Sequence, residues 1–177
     1  PAVAWIKRGF HPIVRLLRPE FGLLPHAFRR ATVASTFWAM FHDRDLIDPA
    51  VADLMVDEFR RIYHSAGARY AFLSCARNIY LEQPFGRNGF YERLAELQAP
   101  ALFVWGSHDT LVPHGFSRHV KEWLPSAAQV TIQHCGHVPQ VERSEETNEL
   151  LLRFFRQAEQ GQLTVPAAAR PGRAQAA

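Results

Sequence analysis

Apolar and polar residues follow a helical period through most of the first 97 residues. Asp48 suits the N-cap of a helix, and Pro49 suits its first helical position. The helix predicted after this pair places five large apolar side chains on one face: Val51, Leu54, Met55, Phe59 and Ile62. Further helices are predicted over 31–42 and 70–80. The first half of the chain is therefore expected to be helical.

The pattern changes near residue 100. Two short apolar runs, 101–105 and 129–133, are too short for helices and predict buried strands. A helix is predicted between them over 114–124. A last helix is predicted from an N-cap at Ser144 to a stop at Gly161. The alternation of helices and strands predicts an α/β fold with parallel strands.

The predicted organisation has three parts: a helical region over 1–97, an α/β region over 98–161 and a tail over 162–177. The tail is rich in Ala, Pro and Arg, has little to bury and is predicted to be disordered. Two parallel strands cannot form a sheet that is covered on both faces. We therefore expect the other strands of the sheet in sequence upstream of Pro1.

Composition excludes several classes of protein. Hydrophobic residues make up 47% and charged residues 21%, which is typical of a soluble globular protein. The net charge of +3 is not concentrated in a basic run, so no nucleic-acid partner is predicted. Two cysteines are too few for a disulfide framework and indicate a reducing, cytoplasmic location. For the basic amphipathic segment over 3–18, packing against protein is favoured over contact with a membrane surface.

Each predicted strand is followed by a turn that contains an acid–base residue. Asp109 lies in WGSHDTLVP and His137 in HCGHVPQVE. Parallel strands end at the same edge of a sheet, so an Asp and a His there can form the second and third members of a nucleophile–acid–His triad. The nucleophile is expected earlier, on a G-x-S-x-G turn. The sequence contains no such turn.

A metal site and a cysteine nucleophile are the alternatives to this pair. Three further histidines lie nearby and, with Asp109 and His137, imitate a metal cluster: His108, His114 and His134. They lack a known ligand spacing, so neither a metal nor another cofactor is predicted. Cys135 lies two residues from His137, but a buried, unreactive thiol is favoured over a nucleophile. Glu142 is predicted to be a structural partner within the loop that contains His137, which we call the His loop.

The two motifs together resemble the α/β-hydrolase family. WGSHDTLVP is similar to the family's acid turn, W-G-x-x-D-x-x-x-P, and HCGHVPQVERSEETNELLLRFF to its His loop and last helix. The 28-residue separation of Asp109 and His137 is typical of the family. The resemblance implies a partial α/β-hydrolase fold. Residues 1–97 then correspond to the helical cap and 98–161 to the last two parallel strands and the C-terminal helix.

The resemblance also implies a function for the whole protein. We expect a serine-type hydrolase of a small apolar ester or related small molecule, with Asp109 and His137 as catalytic residues and the nucleophile upstream. An epoxide hydrolase or haloalkane dehalogenase with an Asp nucleophile is the first alternative, and a non-catalytic binding module is the second. Three aromatic cap residues are candidates for the substrate pocket, although simple packing is favoured: Phe37, Trp38 and Phe41. The 177-residue chain alone is expected to be inactive.

Overall fold

The computed structural model describes residue 16 and residues 18–163. The predicted helix over 3–18 and the predicted disordered tail over 162–177 lie almost entirely outside this part. The chain packs as two compact units. The first comprises residues up to Thr36 together with Pro49–Pro84, and the second comprises Phe37–Asp48 together with residues from Phe85 onward. The predicted division of the chain at residue 97 stays a prediction.

Helices form the first unit. The helix α1 (Arg30–Trp38) begins in it, and α2 (Pro49–Tyr63) and α3 (Ala66–Leu81) follow. Pro49 is the first residue of α2, as the sequence predicts, because proline at this position forfeits no helical hydrogen bond. The side chain of Ser65 caps α3 and accepts a hydrogen bond from the amide of Ala68 at 3.1 Å.

A buried arginine ties α3 to the 3₁₀ turn Pro19–Leu23. The Nε of Arg69 donates to the carbonyl of Gly22 at 2.8 Å, and its Nη1 donates to the carbonyls of Tyr63 and His64. A Cβ on Gly22 would lie 2.5 Å from the backbone nitrogen of Tyr70, so glycine permits this close approach. Carbonyl acceptors therefore offset the cost of burying the charge.

The buried side of α2 differs from its most apolar side. The five large apolar residues that the sequence places on one face are between 37% and 68% exposed. The buried residues of α2 are Ala52, Val56 and Tyr63. Their spacing places them together on the side of the helix next to the apolar face. The side of α2 that is buried is thus set by its packing partners within the unit. It is not the side that carries the largest apolar side chains.

The second unit contains a parallel pair of strands, β1 (Leu102–Gly106) and β2 (Ala128–Ile132). Leu102 lies opposite Ala128, and Gly106 lies opposite Ile132, so both strands end at the same edge. The prediction of parallel strands in a partial α/β fold is confirmed. The connection between them contains a 3₁₀ turn (His114–Phe116) and the helix α5 (Ser117–Trp123). The short helix α4 (Phe90–Ala95) precedes β1.

Two helices follow β2, namely α6 (Pro139–Glu142) and α7 (Ser144–Glu159). The predicted N-cap at Ser144 is wrong, because Arg143 occupies the N-cap position and makes no side-chain capping bond. The predicted stop at Gly161 is confirmed by its left-handed φ of 65°. In the part of the chain that the structure describes, no helix is both long enough and apolar enough to cross a membrane.

Candidate active site

The carboxylate of Asp109 is held in the turn that follows β1. Its Oδ1 accepts hydrogen bonds from the amides of Leu111 at 2.8 Å and Val112 at 2.9 Å. Only 8% of the side chain is exposed. An Asp at this position in a turn readily bonds its own downstream amides. Oδ1 is therefore committed to the turn, and Oδ2 is left for another partner.

That partner is His137. Its Nδ1 lies 2.8 Å from Oδ2 of Asp109, which is the distance of a charge-assisted hydrogen bond. The carboxylate can only accept, so Nδ1 carries the proton and Nε2 keeps its lone pair. The ring is 37% exposed. The structure thus brings together the two residues that the sequence paired across 28 positions, in the arrangement needed for a general base.

Two glycines allow the backbone to pack tightly behind His137. A Cβ on Gly106, the last residue of β1, would lie 1.9 Å from the carbonyl oxygen of Gly136. A Cβ on Gly136 would lie 2.4 Å from the carbonyl oxygen of Met40. The same carbonyl of Met40 accepts the amide of His137 at 2.7 Å. The His loop is therefore sandwiched between the end of β1 and the segment Phe37–Asp48.

Glu142 joins the same two pieces of backbone. Its buried carboxylate accepts the amide of Gly136 at 2.8 Å and the amide of Asp43 at 2.7 Å, with longer contacts to the amide of His42 at 3.2 and 3.3 Å. Hydrogen bonds from several amides satisfy a carboxylate that would otherwise be costly to bury. The predicted structural role of Glu142 in the His loop is confirmed, and the link to residues 42–43 was not foreseen.

Cys135 is unsuited to nucleophilic chemistry. Its side chain is fully buried, and burial, followed by the negative charge of Glu142, raises the pKa of its thiol to about 12. The thiolate is the reactive form of cysteine, so this thiol is inert at neutral pH. The preference for a buried, unreactive Cys135 agrees with the structure.

The histidines group differently from the set of residues that imitates a metal cluster in the sequence. The Nε2 of His114 lies 2.8 Å from Oγ1 of Thr131. His42 takes its place beside His108 and His134, and the three offer ring nitrogens within 4.8 Å of one another. Sequence reasoning missed His42, since 66 residues separate it from His108 and no local motif marks it.

The aromatic residues proposed for a substrate pocket contact one another. Phe37 and Phe41 are 7% and 6% exposed, and their ring centroids lie 4.9 Å apart. Trp38 is half-buried and lies 5.7 Å from Phe37 and 6.1 Å from Phe41, again between centroids. This mutual packing agrees with the simpler interpretation of these residues as core, and their contact with a substrate stays a prediction.

A protein-family model described as the alpha/beta hydrolase fold matches residues 23–144, which is more than half of the chain. A 2-hydroxy-6-oxononadienedioate/2-hydroxy-6-oxononatrienedioate hydrolase of Pseudomonas putida is 39% identical over 66 residues, covering 37% of this chain and 23% of that protein. Bifunctional epoxide hydrolase 2 of Sus scrofa is 24% identical over 111 residues, covering 61% of this chain and 20% of that protein.

Solved structures give the same fold. A meta-cleavage product hydrolase from Pseudomonas fluorescens IP01 superimposes with a TM-score of 0.58 and 21% identity, covering 75% of this chain and 47% of that one. The chain therefore spans less than half of this solved relative and about a quarter or less of the two curated relatives.

Proposed function

The chain belongs to the alpha/beta hydrolase fold family, and we propose that it carries the acid and the histidine of a serine-type ester hydrolase. The observation that carries this proposal is the 2.8 Å hydrogen bond between Nδ1 of His137 and Oδ2 of Asp109, at the common edge of two parallel strands. Homologues of the chain are hydrolases, which supports hydrolysis as the general reaction.

His137 is the general base of the proposed reaction. Asp109 holds the Nδ1 proton, so Nε2 accepts the proton of the nucleophile as it attacks the ester carbonyl. The imidazolium that forms is stabilised by the carboxylate of Asp109. It then gives its proton to the leaving alcohol, and in the second half of the cycle the ring activates water against the acyl-enzyme.

The nucleophile and the oxyanion-hole donors are proposed to lie outside these 177 residues. The sequence contains no G-x-S-x-G turn, and this sharp turn is the usual place of the serine in the family. The short coverage of the relatives, 23% of the Pseudomonas putida protein, agrees with a division in which this chain contributes only part of the machinery.

The proposed substrate is a small, largely apolar ester or a related small carbonyl compound. Apolar rings of the segment Phe37–Asp48 belong to the same compact unit as Asp109 and His137, and clusters of aromatic side chains commonly line pockets for such molecules. The relative from Pseudomonas putida is named for small unsaturated dioates, which supports a small carbonyl substrate.

An aspartate-nucleophile hydrolase is the second candidate. The similarity to the Sus scrofa epoxide hydrolase extends over 61% of the chain, a larger share than that of the dioate hydrolase. An acid–His pair serves this chemistry equally well, because the His then activates the water that hydrolyses an alkyl-enzyme ester. The identity of the nucleophile distinguishes the two reactions, since a serine forms an acyl-enzyme and an aspartate forms an alkyl-enzyme ester.

The test uses the full-length protein. We expect hydrolysis of a p-nitrophenyl ester, covalent labelling of one serine by a fluorophosphonate, and loss of both in His137→Ala. A matched control, His64→Ala, changes an exposed histidine of the first unit and should retain full activity. Turnover of an epoxide without fluorophosphonate labelling would favour the second candidate. Turnover of neither substrate class, with tight small-molecule binding retained, would contradict a catalytic role.

A further inference from the structure

We propose that His42, His108 and His134 form a binding site for a divalent transition-metal ion of the Zn²⁺, Ni²⁺ and Cu²⁺ class. Each offers an imidazole nitrogen, and these atoms lie within 4.8 Å of one another. Imidazole is a favoured ligand for these ions, whereas Mg²⁺ and Ca²⁺ prefer oxygen. The three rings have no part in the proposed hydrolysis, so the inference is independent of that function.

The backbone at two of the three residues is fixed by contacts that leave the rings exposed. The amide of His42 points to the buried carboxylate of Glu142. The amide of His134 donates to Oγ of Ser107 at 2.9 Å, and its carbonyl accepts Nη2 of Arg143 at 2.9 Å. His134 also has a left-handed φ of 49°, which is uncommon outside glycine and persists where surrounding contacts impose it.

The ring of His108 is oriented by a neighbouring hydroxyl. Its Nδ1 lies 2.8 Å from Oγ of Ser107, and its amide donates to the carbonyl of Cys135 at 2.9 Å. When Nδ1–H donates to Ser107, Nε2 keeps its lone pair for a metal. A second hydrogen bond of this kind is typical of metal-binding histidines, because it fixes the tautomer and the direction of the ring. Ser107 therefore links two of the proposed ligands.

The three rings come from three separate segments and each lies near the other two, since the ring centroids of His42 and His134 are 6.2 Å apart. The ring centroids of His42 and His108 are 3.8 Å apart, those of His108 and His134 are 5.6 Å apart, and the interplanar angles are 23° and 20°. All three side chains are exposed, so small rotations about their χ angles can converge the nitrogens on one ion.

Three protein ligands leave a tetrahedral ion with one position for water. We therefore expect an exposed site whose ion exchanges with solvent. No single histidine should be sufficient to bind the ion. Removing any one ligand should weaken binding by about tenfold or more, since loss of even an orienting partner costs 10–100-fold.

The experiment is isothermal titration of the full-length protein with ZnCl₂, followed by His42→Ala, His108→Ala and His134→Ala. One Zn²⁺ per chain is expected for the parent protein, and each variant should bind at least about tenfold more weakly. His64→Ala, an exposed histidine of the first unit, should bind like the parent. MgCl₂ should produce no binding heat. Circular dichroism of each variant verifies that the fold is retained.

A second variant keeps the test valid if an alanine variant fails to fold. Ser107→Ala retains all three rings but removes the hydrogen bonds to the ring of His108 and from the amide of His134, and it should weaken Zn²⁺ binding by roughly 10–100-fold. The proposal is overturned if the parent protein does not bind Zn²⁺, or if the triple alanine variant binds it unchanged. Binding that is lost only in His137→Ala would place the ion on the Asp109–His137 pair, and this too would overturn the proposal.

Discussion

At the scale of single residues, Asp109 divides its two carboxylate oxygens between its own turn and His137. Oδ1 accepts two backbone amides of its own turn, and Oδ2 accepts Nδ1 of His137. The first pair of bonds holds the carboxylate in place without help from the histidine. Asp109 is thus positioned by its own turn, and under the proposed function the two residues should behave as one catalytic unit.

Under the proposed function, this arrangement predicts strong non-additivity of kcat losses in the full-length protein. Asp109→Asn keeps the shape but presents the wrong group to Nδ1, and it should lower kcat by about 10³–10⁴-fold. His137→Ala should cost as much or more, and the double variant should be scarcely worse than His137→Ala alone. His134→Ala should have a mild effect on kcat. Additive losses across the Asp109–His137 cycle would contradict the shared role.

Glu142 is predicted to support the histidine through the backbone. Glu142→Gln replaces one acceptor oxygen by an amide donor that faces backbone N–H groups, which leaves buried polar groups unpaired and should cost about 1–3 kcal/mol of stability. Denaturant unfolding measures this loss. Glu149→Gln, an exposed residue of α7, is the matched control and should be neutral. Equal stability of the two variants would show that the hydrogen bonds from backbone amides to Glu142 do not stabilise the fold.

The two cysteines should differ sharply in reactivity. Burial raises the pKa of Cys135 to about 12, so its thiol stays protonated at neutral pH, while Cys75 is exposed. Ellman's reagent at about pH 8 should therefore modify one thiol in the native protein and two after denaturation. Cys75→Ser should abolish the native reaction. Rapid native modification of Cys135 would show that the His loop opens readily.

At the scale of elements, the sequence located the strands well because short apolar runs flanked by Pro and Gly leave few alternatives. The observed strands, Leu102–Gly106 and Ala128–Ile132, differ by one residue from the predicted ranges 101–105 and 129–133. Parallel pairing then places the turns after them at one edge. The Asp109–His137 pair was predictable for this reason, since it depends only on strand ends.

The helix predicted over 31–42 shows where sequence reasoning failed. The structure ends this helix at Trp38, although the apolar pattern continues. The following backbone has other partners, because the carbonyl of Met40 accepts His137 and the amide of Asp43 donates to Glu142. These partners lie about 100 residues away in the chain, so the helix propensity of the local sequence gives no sign of them. His42 was missed because its neighbours in the structure are likewise distant in sequence.

The packing of these segments predicts that Gly136 tolerates no side chain. A Cβ there would lie 2.4 Å from the carbonyl oxygen of Met40, so Gly136→Ala must displace the His loop. The expected loss is about 1–3 kcal/mol of stability, together with reduced kcat. Gly115→Ala is the control, since a Cβ at Gly115 meets nothing within 4 Å. If Gly136→Ala unfolds at the same denaturant concentration as Gly115→Ala, the contact is looser than described.

At the scale of the whole molecule, much apolar surface is left uncovered on the described residues. On α7, Phe155 is 56% exposed, and Leu152 beside it is 54% exposed. Helical periodicity identifies an apolar stripe, but it cannot say whether the described residues supply the surface that covers it.

The 177-residue chain by itself is predicted to lack esterase activity. Its acid–His pair is formed, but a general base without a nucleophile on a sharp turn and without oxyanion donors cannot form or stabilise the tetrahedral intermediate. The sequence offers no G-x-S-x-G turn that could supply the nucleophile or an oxyanion donor.

The measurement is p-nitrophenyl ester hydrolysis by equal concentrations of the purified chain, its His137→Ala variant and the full-length protein. The first two should match the buffer rate, while the full-length protein should turn over. Ester turnover by the 177-residue chain that disappears in His137→Ala would show that these residues hold a complete catalytic site, with a nucleophile other than the one proposed.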